Sequence, residues 1–371
     1  MSALRVGINL LWLQPGRAGG AERYALAVVR ALSDEGADDV DPTIFCNRRV
    51  AMVYPDLAER FATVVAPLEG RARAVRIGME SSWLAREIAR RSLELTHHLN
   101  DVMPWIHPGR TALTVHDLRS MRGGAVLGRG QAAYLRIAVP RSIRTARIVM
   151  TPTDFVRTDV IDRFSIDPGR VTVVSAPPPA IAPAPSVALQ PQGPYFLYPA
   201  ITSRHKNHRT LLEAFAKLAA ERPDVRLVLT GSSGNAEADV RSEIARLGVE
   251  DRVIRAGRLA EPAFDRMLIG ATALVYPSTY EGFGLPITEA MAVGCPVIAS
   301  TATALPEVVG DAGILLDPQD LTGWTDAMTR VLDDEALRAR LIAAGNARVA
   351  THTPAETAGR VVAAYRLALE G

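Results

Sequence analysis

Lysine is almost absent from this chain of 371 residues: Lys206 and Lys217 stand alone in a set of 42 basic residues, and arginine supplies the rest. Cysteine is as scarce. Cys46 and Cys295 lie far apart, without metal-ligand or redox spacing, which excludes a disulfide framework or a zinc centre as the organising device and leaves both as packing residues. No stretch approaches the ~18 consecutive apolar residues of a spanning helix. The opening MSALRVGINL runs straight into a strand pattern, without the basic region and apolar core of an export signal, so a cytoplasmic location is expected. With 48% hydrophobic and 22% charged residues, the chain can bury a substantial core, and its length points to two domains.

The net charge of +2 is unevenly spread. Residues 1–180 hold 24 arginines against 18 acids, and within 71–147 the balance is 14 against 5. Arginines cluster at Arg71, Arg73 and Arg76, at Arg90 and Arg91, and at Arg136, Arg141, Arg144 and Arg147. Such a face suits anionic lipid or a phosphorylated acceptor, and equally suits helices with ordinary solvated basic surfaces. The sequence leaves both readings open.

Short apolar runs alternate with amphipathic stretches. Leu4 to Leu10 reads as a strand, 20–33 as a helix, Thr43 to Cys46 as a strand, 76–91 as a basic helix and Ala112 to Val115 as a strand. That alternation implies a parallel sheet. Residues 176–194, APPPAIAPAPSVALQPQGP, carry too many prolines for helix or central strand and read as an interdomain linker. Strands are expected again at 195–200, 226–230, 252–256, 273–276 and 296–299. Helices are expected at 207–221, 237–247, 261–270 and 286–293. The fold class is therefore α/β, with two Rossmann-like parallel sheets.

The most informative stretch is YPSTYEGFGLPITEAMAVGCPVIAS, residues 276–300. A strand ends near Tyr276, a loop carries Glu281, Gly282, Phe283, Gly284 and Leu285, and Pro286 stands where a helix should begin. Loop amides pointing off a helix N-terminus, with glycines permitting close approach, suit a diphosphate. Glu281 and Glu289 bracket the loop, and carboxylates accept hydrogen bonds from sugar hydroxyls. The same residues are compatible with a plain strand-to-helix turn in which Glu289 complements the helix dipole. His116, after a strand-like run, reads by itself as a structural histidine as readily as a catalytic one. His97 and His98, in LELTHH, stand at a similar edge without an assigned role. Trp83, Trp105 and Tyr134 fit either an acceptor surface or core.

Glu281, seven residues, then Glu289, set in EGFGLPITEAMAVGCPVIAS and followed by LPEVVGDAG at 305–313, resembles the signature of glycosyltransferase family 4, a retaining group with the GT-B fold. AGGAERY, with Gly19 and Gly20, resembles that family's glycine-rich loop. LTVHDL, with His116 and Asp117, resembles its histidine at a strand end, and YPAITSRHKNH at 198–208 resembles the segment bearing its phosphate-binding lysine.

The resemblance implies GT-B architecture, with two Rossmann-like domains facing a central cleft. Residues 1–180 plus a helix at 354–371 would form the acceptor side, and 195–353 the donor side. It further implies that Lys206, helped by Arg204, neutralises the donor diphosphate. Glu281 would touch the hexose and Glu289 the ribose, while the amides of Gly282, Phe283, Gly284 and Leu285 meet sugar and phosphate. His116 would reach the sugar from the first domain, and Gly231 would open another turn facing the nucleotide. No metal or other cofactor is expected, the family being metal-independent. The implied partners are a nucleotide-sugar donor, with GDP-mannose the best match, and a glycan or lipid-linked acceptor, with peripheral membrane contact through the basic first domain and no nucleic acid. Cell-envelope polysaccharide synthesis fits that role. A nucleotide-sugar epimerase of the same fold and a noncatalytic nucleotide- or sugar-binding module are the alternatives, and fold alone does not separate them.

Overall fold

The computed structural model describes residues 3–16, 19–35, 39–69, 72–122, 128–178 and 190–370. Residues 179–189 of the expected linker and Arg71 of the first arginine cluster lie outside the described residues. The chain divides into two units, Met1–Pro177 with His352–Gly371, and Pro178–Thr351.

In the first unit seven parallel strands, β1 (Leu4–Leu10), β2 (Val40–Asn47), β3 (Ala62–Ala66), β4 (Leu95–His98), β5 (Arg110–Thr114), β6 (Ile148–Thr151) and β7 (Val171–Val173), lie in the order β3-β2-β1-β4-β5-β6-β7. Central strands covered on both faces bury every residue rather than alternate ones, as in β4 and β6. The helix Pro354–Glu370 packs on the helix Gly20–Glu35 and on β4, β5 and β6. It is pinned through a polar contact in the core: His97 Nδ1 lies 2.9 Å from the Tyr365 hydroxyl, and His97 Nε2 lies 2.8 Å from Thr114 Oγ1. His97 and His98 are thus interior groups, at 1% and 0% exposure, and not a rim.

The second unit holds six parallel strands, β8 (Tyr195–Pro199), β9 (Arg226–Thr230), β10 (Val253–Gly257), β11 (Ala273–Tyr276), β12 (Val297–Ser300) and β13 (Ile314–Leu316), in the order β10-β9-β8-β11-β12-β13. In each sheet the chain reverses its direction of growth once, between β1 and β4 and between β8 and β11. At such switch points the two neighbouring loops diverge to opposite faces and leave a crevice at the C-terminal strand ends.

The basic helix begins earlier than the periodicity predicts, at Arg73, and runs through a π turn at Glu80–Leu84 before resuming at Ala85–Arg91. Periodicity does not announce Arg129–Thr145 as a helix because Pro140 sits inside it. Cys46 and Cys295 are buried free thiols, and burial pushes their pKa values up to about 11 and about 12, which suits packing roles.

Candidate active site

At the switch point of the second unit, the loop after β8 carries Lys206 and the loop after β11 carries Glu281. Lys206 closes a short 3-10 turn, Arg204–Lys206, and Asn207 follows with φ 53°, a left-handed corner that starts the helix His208–Glu221. The corner is held because the Asn207 side-chain amide donates to the carbonyls of Pro277 at 3.2 Å and Pro318 at 2.7 Å. The Tyr198 hydroxyl, at the end of β8, donates to the Lys206 carbonyl at 2.5 Å. From the other side Thr279 donates through its backbone N–H at 2.8 Å and its hydroxyl at 3.1 Å to the His205 carbonyl. The two loops are therefore stitched together by polar contacts before any side-chain charge is counted.

Between them, Lys206 Nζ lies 2.5 Å from Glu281 Oε1 and 3.3 Å from the Tyr276 hydroxyl, and sits 5.3 Å from the Tyr276 ring centre. The ion pair is largely enclosed, with side-chain exposures of 12% and 13%. Burial by itself would raise the Glu281 carboxyl, but the Lys206 ammonium and hydrogen bonds from Lys206 and Ser278 outweigh it and hold its pKa below the ordinary carboxylate value. An ammonium has three donors, so with Glu281 and Tyr276 served Lys206 retains one for a further acceptor. Thr303 braces the carboxylate's backbone reciprocally: its hydroxyl accepts from Glu281 N at 2.8 Å and donates to Glu281 O at 2.9 Å.

The helix Leu285–Ala292 starts directly after this loop, with Pro286 in its first turn and Gly284 before it at φ 105°. Leu285 rather than Pro286 is therefore its first residue. A side chain at Gly284 would also press on Leu305 at 3.0 Å. Phe283 and Leu285 are buried at 9% and 5%, so their side chains belong to the core and only their backbone is left for a ligand. The first amides of a helix have no intrahelical acceptor, which makes this end a natural place for an anion. Glu289 is fully buried, one turn into the helix, and both it and Glu281 act electrostatically on the Tyr276 hydroxyl.

Gly231 follows β9 at φ 126°, and a Cβ there would stand 2.4 Å from the Ala200 carbonyl, so only glycine lets the loops after β8 and β9 approach. Arg204 is exposed at the head of its turn. In the first unit, Gly19 and Gly20 are exposed at the start of the helix Gly20–Glu35. His116 lies just past β5, half-buried, with its N–H donating to Asp101 Oδ1 at 2.8 Å, its Nε2 3.3 Å from the Leu99 carbonyl and its ring edge-on to Tyr24 at 5.1 Å. Burial brings its pKa down to about 4, so the ring is neutral at pH 7.

Lys206, Glu281, Gly284 and Leu285 are thus brought together at one strand-end crevice; His116, Gly19 and Gly20 belong to the other unit. Tyr198, Tyr276, Asn207, Thr279 and Thr303 complete the support; the first four lie in the stretches that the sequence marks, but none carries a role legible there. The chain's one Asp-x-Asp triplet, Asp39 to Asp41, stands at the opposite, N-terminal edge of its sheet, where Asp39 pairs with Arg366. Among the described residues no group of three or more His, Cys, Asp or Glu side chains is gathered in a metal-holding arrangement.

Residues 184–348 match the family model described as glycosyl transferases group 1, and residues 18–177 match that of glycosyltransferase family 4. Over 270 residues the chain is 31% identical to the O-antigen chain mannosyltransferase B of Escherichia coli, an alignment covering 70% of each protein. The chain belongs to the group 1, family 4 glycosyltransferases. A second relative of this glycosyltransferase, the MMP alpha-(1->4)-mannosyltransferase of Mycolicibacterium hassiacum, is 38% identical over 163 residues, 43% of this chain and 39% of that one. Among solved structures, an Anabaena protein in complex with UDP-glucose superimposes with a TM-score of 0.70 over 97% of this chain and 98% of its own, at 19% identity. At that identity the likeness speaks for the fold, which is GT-B. Among the described residues no helix of the glycosyltransferase is long and apolar enough to cross a membrane.

Proposed function

We propose that this glycosyltransferase moves mannose from GDP-mannose to an acceptor hydroxyl, with retention at the anomeric carbon and without a metal ion. The supporting observation is the Lys206–Glu281 pair at the β8/β11 switch point, directly before the helix that Gly284 introduces. In this reading the remaining Lys206 donor and the first amides of that helix take the diphosphate and stabilise the charge that builds on it as the glycosidic bond breaks. Glu281, kept ionised by Lys206, accepts hydrogen bonds from the hexose hydroxyls. The departing phosphate receives the acceptor proton, so no protein nucleophile is required. His116, neutral at pH 7, serves as a hydrogen-bonding group to the sugar and not as a charge.

The mannose assignment draws on the named activities of the two relatives, and the nucleotide class on the UDP-glucose bound by the Anabaena protein. The acceptor is proposed to be glycan or lipid-linked, met at the inner face of a membrane by the arginine-rich first unit, in the building of a cell-envelope polysaccharide.

The test is to incubate the full chain with GDP-mannose and a panel of glycan and polyprenyl-linked acceptors in excess EDTA, and to read the anomeric configuration of the product by NMR. An α-mannoside formed in EDTA is the expected result. A β-mannoside would reject retention, loss of product in EDTA would reject metal independence, and conversion of the free nucleotide sugar to an epimer would favour the epimerase.

A further inference from the structure

The loop after β4 holds His116 at two points, from Leu99 and from Asp101. The Leu99 carbonyl lies 3.3 Å from His116 Nε2. A carbonyl oxygen only accepts, so in the neutral ring the proton sits on Nε2, and Nδ1 keeps a bare lone pair. The flanks of the ring are closed by Tyr24, edge-on at 5.1 Å, and by Trp12, tilted at 6.3 Å. Neither serves the lone pair, for the Tyr24 hydroxyl is already spent on the Val174 carbonyl at 2.6 Å. Among the described residues no donor meets His116 Nδ1, and that nitrogen is not one of the buried orphans of the chain, so it is open to a molecule from outside.

Asp101 is the second holder. Its carboxylate accepts the backbone N–H of His116 at 2.8 Å and also that of Asp117, the next residue. Two successive amides bound to one carboxylate fix the direction in which the chain leaves β5, and with it the direction in which the His116 side chain departs. Asp117 takes no part in this grip, because its own Oδ1 accepts from Arg119 N at 2.7 Å and closes the following turn. Stability does not account for a carboxylate at position 101. Burial and the charge of Asp117 push the Asp101 carboxyl up to about 7, so its ionised form is kept at a cost to folding. An asparagine there would escape that cost, but it has a single acceptor oxygen, whereas an ionised carboxylate has two to share between the two amides. A strained charge kept beside an open histidine nitrogen is the mark of a place where position outweighs stability.

We infer that Asp101 is a positioning residue for glycosyl transfer: acting through the main chain of His116, and together with the Leu99 carbonyl, it presents His116 Nδ1 as an acceptor for a substrate hydroxyl. A phosphate oxygen without a proton has nothing to give that nitrogen, so the clamp selects for a neutral O–H. The functional half of this inference rests on the reading of His116 as a group that meets the sugar; the clamp itself stands on distances within the first unit.

Two measurements test it. In the first, the full-length chain carries nitrogen-15 in its histidine rings, and long-range proton–nitrogen NMR spectra report the tautomer of His116, assigned by the signals missing from His116→Ala. The wild type should show a protonated-type nitrogen at Nε2 and an acceptor-type nitrogen at Nδ1, and Asp101→Ala should show a mixture of the two tautomers while His97 and His98 stay as they are. A proton on Nδ1 in the wild type, or an unchanged His116 signal in Asp101→Ala, would overturn the inference. In the second, turnover is followed with GDP-mannose and an acceptor from the panel above. Asp101→Ala should lower kcat roughly tenfold or more, with the donor KM within about twofold, because a displaced group loses its alignment rather than its binding. Asp101→Asn, which keeps one acceptor oxygen, should recover part of the loss. Added to His116→Ala, Asp101→Ala should cost nothing further, since residues that act through one another are not additive; additive losses would reduce Asp101 to a support of the fold and overturn its positioning role. If Asp101→Ala does not fold, Asp101→Asn carries both measurements, with smaller changes of the same sign expected and wild-type values in both overturning the inference. Failure of the sugar reading would look different: His116→Ala would then turn over like the wild type, and the tautomer spectra would still decide the clamp.

Discussion

Lys206 and Glu281 are 75 residues apart in sequence and 2.5 Å apart in space, because their strands β8 and β11 are neighbours at the point where the second sheet reverses its growth. Topology brings them to one crevice; the Asn207 corner and the reciprocal Thr303 contacts hold them there.

The first prediction concerns that pair. Lys206→Ala leaves a carboxylate enclosed without its cation and is expected to cost about 3 kcal/mol of unfolding free energy. The double variant Lys206→Met/Glu281→Gln, with neither charge, should be more stable than Lys206→Ala alone. Urea unfolding of wild type, Lys206→Met, Glu281→Gln and the double variant measures the coupling, and additive losses would mean that the pair does not interact. The Glu281 pKa is lowered in the native state, so its contribution is present above the unfolded value of about 4.3 and is lost as pH falls through the native one.

Gly231→Ala should be among the most damaging single-methyl changes in the second unit. It meets a backbone carbonyl at 2.4 Å and a φ of 126° together, and neither can give way without moving β8 or β9. A loss of about 3 kcal/mol or more is expected, against about 1 kcal/mol for Gly248→Ala, where the φ of 66° is strained but nothing lies within 4 Å of a Cβ. Comparable melting temperatures for the two variants would contradict this.

Tyr365→Phe removes the hydroxyl that meets His97 and strands a buried ring nitrogen, with an expected cost of about 1–3 kcal/mol. Hydrogen exchange should show the loss in β4, β5 and the tail helix while the second unit keeps its protection. An equal effect in both units would speak against the tail helix belonging to the first.

Asp101 accepts the His116 N–H, yet burial and the nearby Asp117 push its pKa up to about 7. Its raised native value means that its contribution to stability is full below the unfolded value of about 3.9 and is lost as pH rises through 7. Asp101→Asn abolishes that titration, so relative to wild type the variant should gain about 1.4 kcal/mol per pH unit across roughly pH 4–7. Parallel stability curves for the two proteins would refute it.

The second unit was the more legible in sequence. Its strands β8 to β12 and their helices have clean apolar runs, and EGFGLP marked a loop at a helix start with both glycine and proline in place. The first unit hid more: β3 is a half-exposed edge strand, Pro140 interrupts the pattern of Arg129–Thr145, and the π turn breaks the helical period at Glu80. Buried histidines in β4 look like rim residues in a linear reading, because nothing local tells that Tyr365 will arrive from the far end of the chain. Thr303 and Asn207 support the site through left-handed backbone corners; asparagine is enriched in that conformation, but a β-branched threonine there has no sequence signature.

The most direct measurement is a thermal-shift scan of the purified glycosyltransferase with GDP, UDP, ADP and CMP, with and without EDTA, on wild type and Lys206→Ala. A nucleoside diphosphate held by Lys206 at about a hundred times its Kd should raise Tm by roughly 5–10 °C. The account predicts that GDP does so, that EDTA changes nothing, and that Lys206→Ala removes most of the shift; no response to any nucleotide, or a shift that survives Lys206→Ala undiminished, would contradict it.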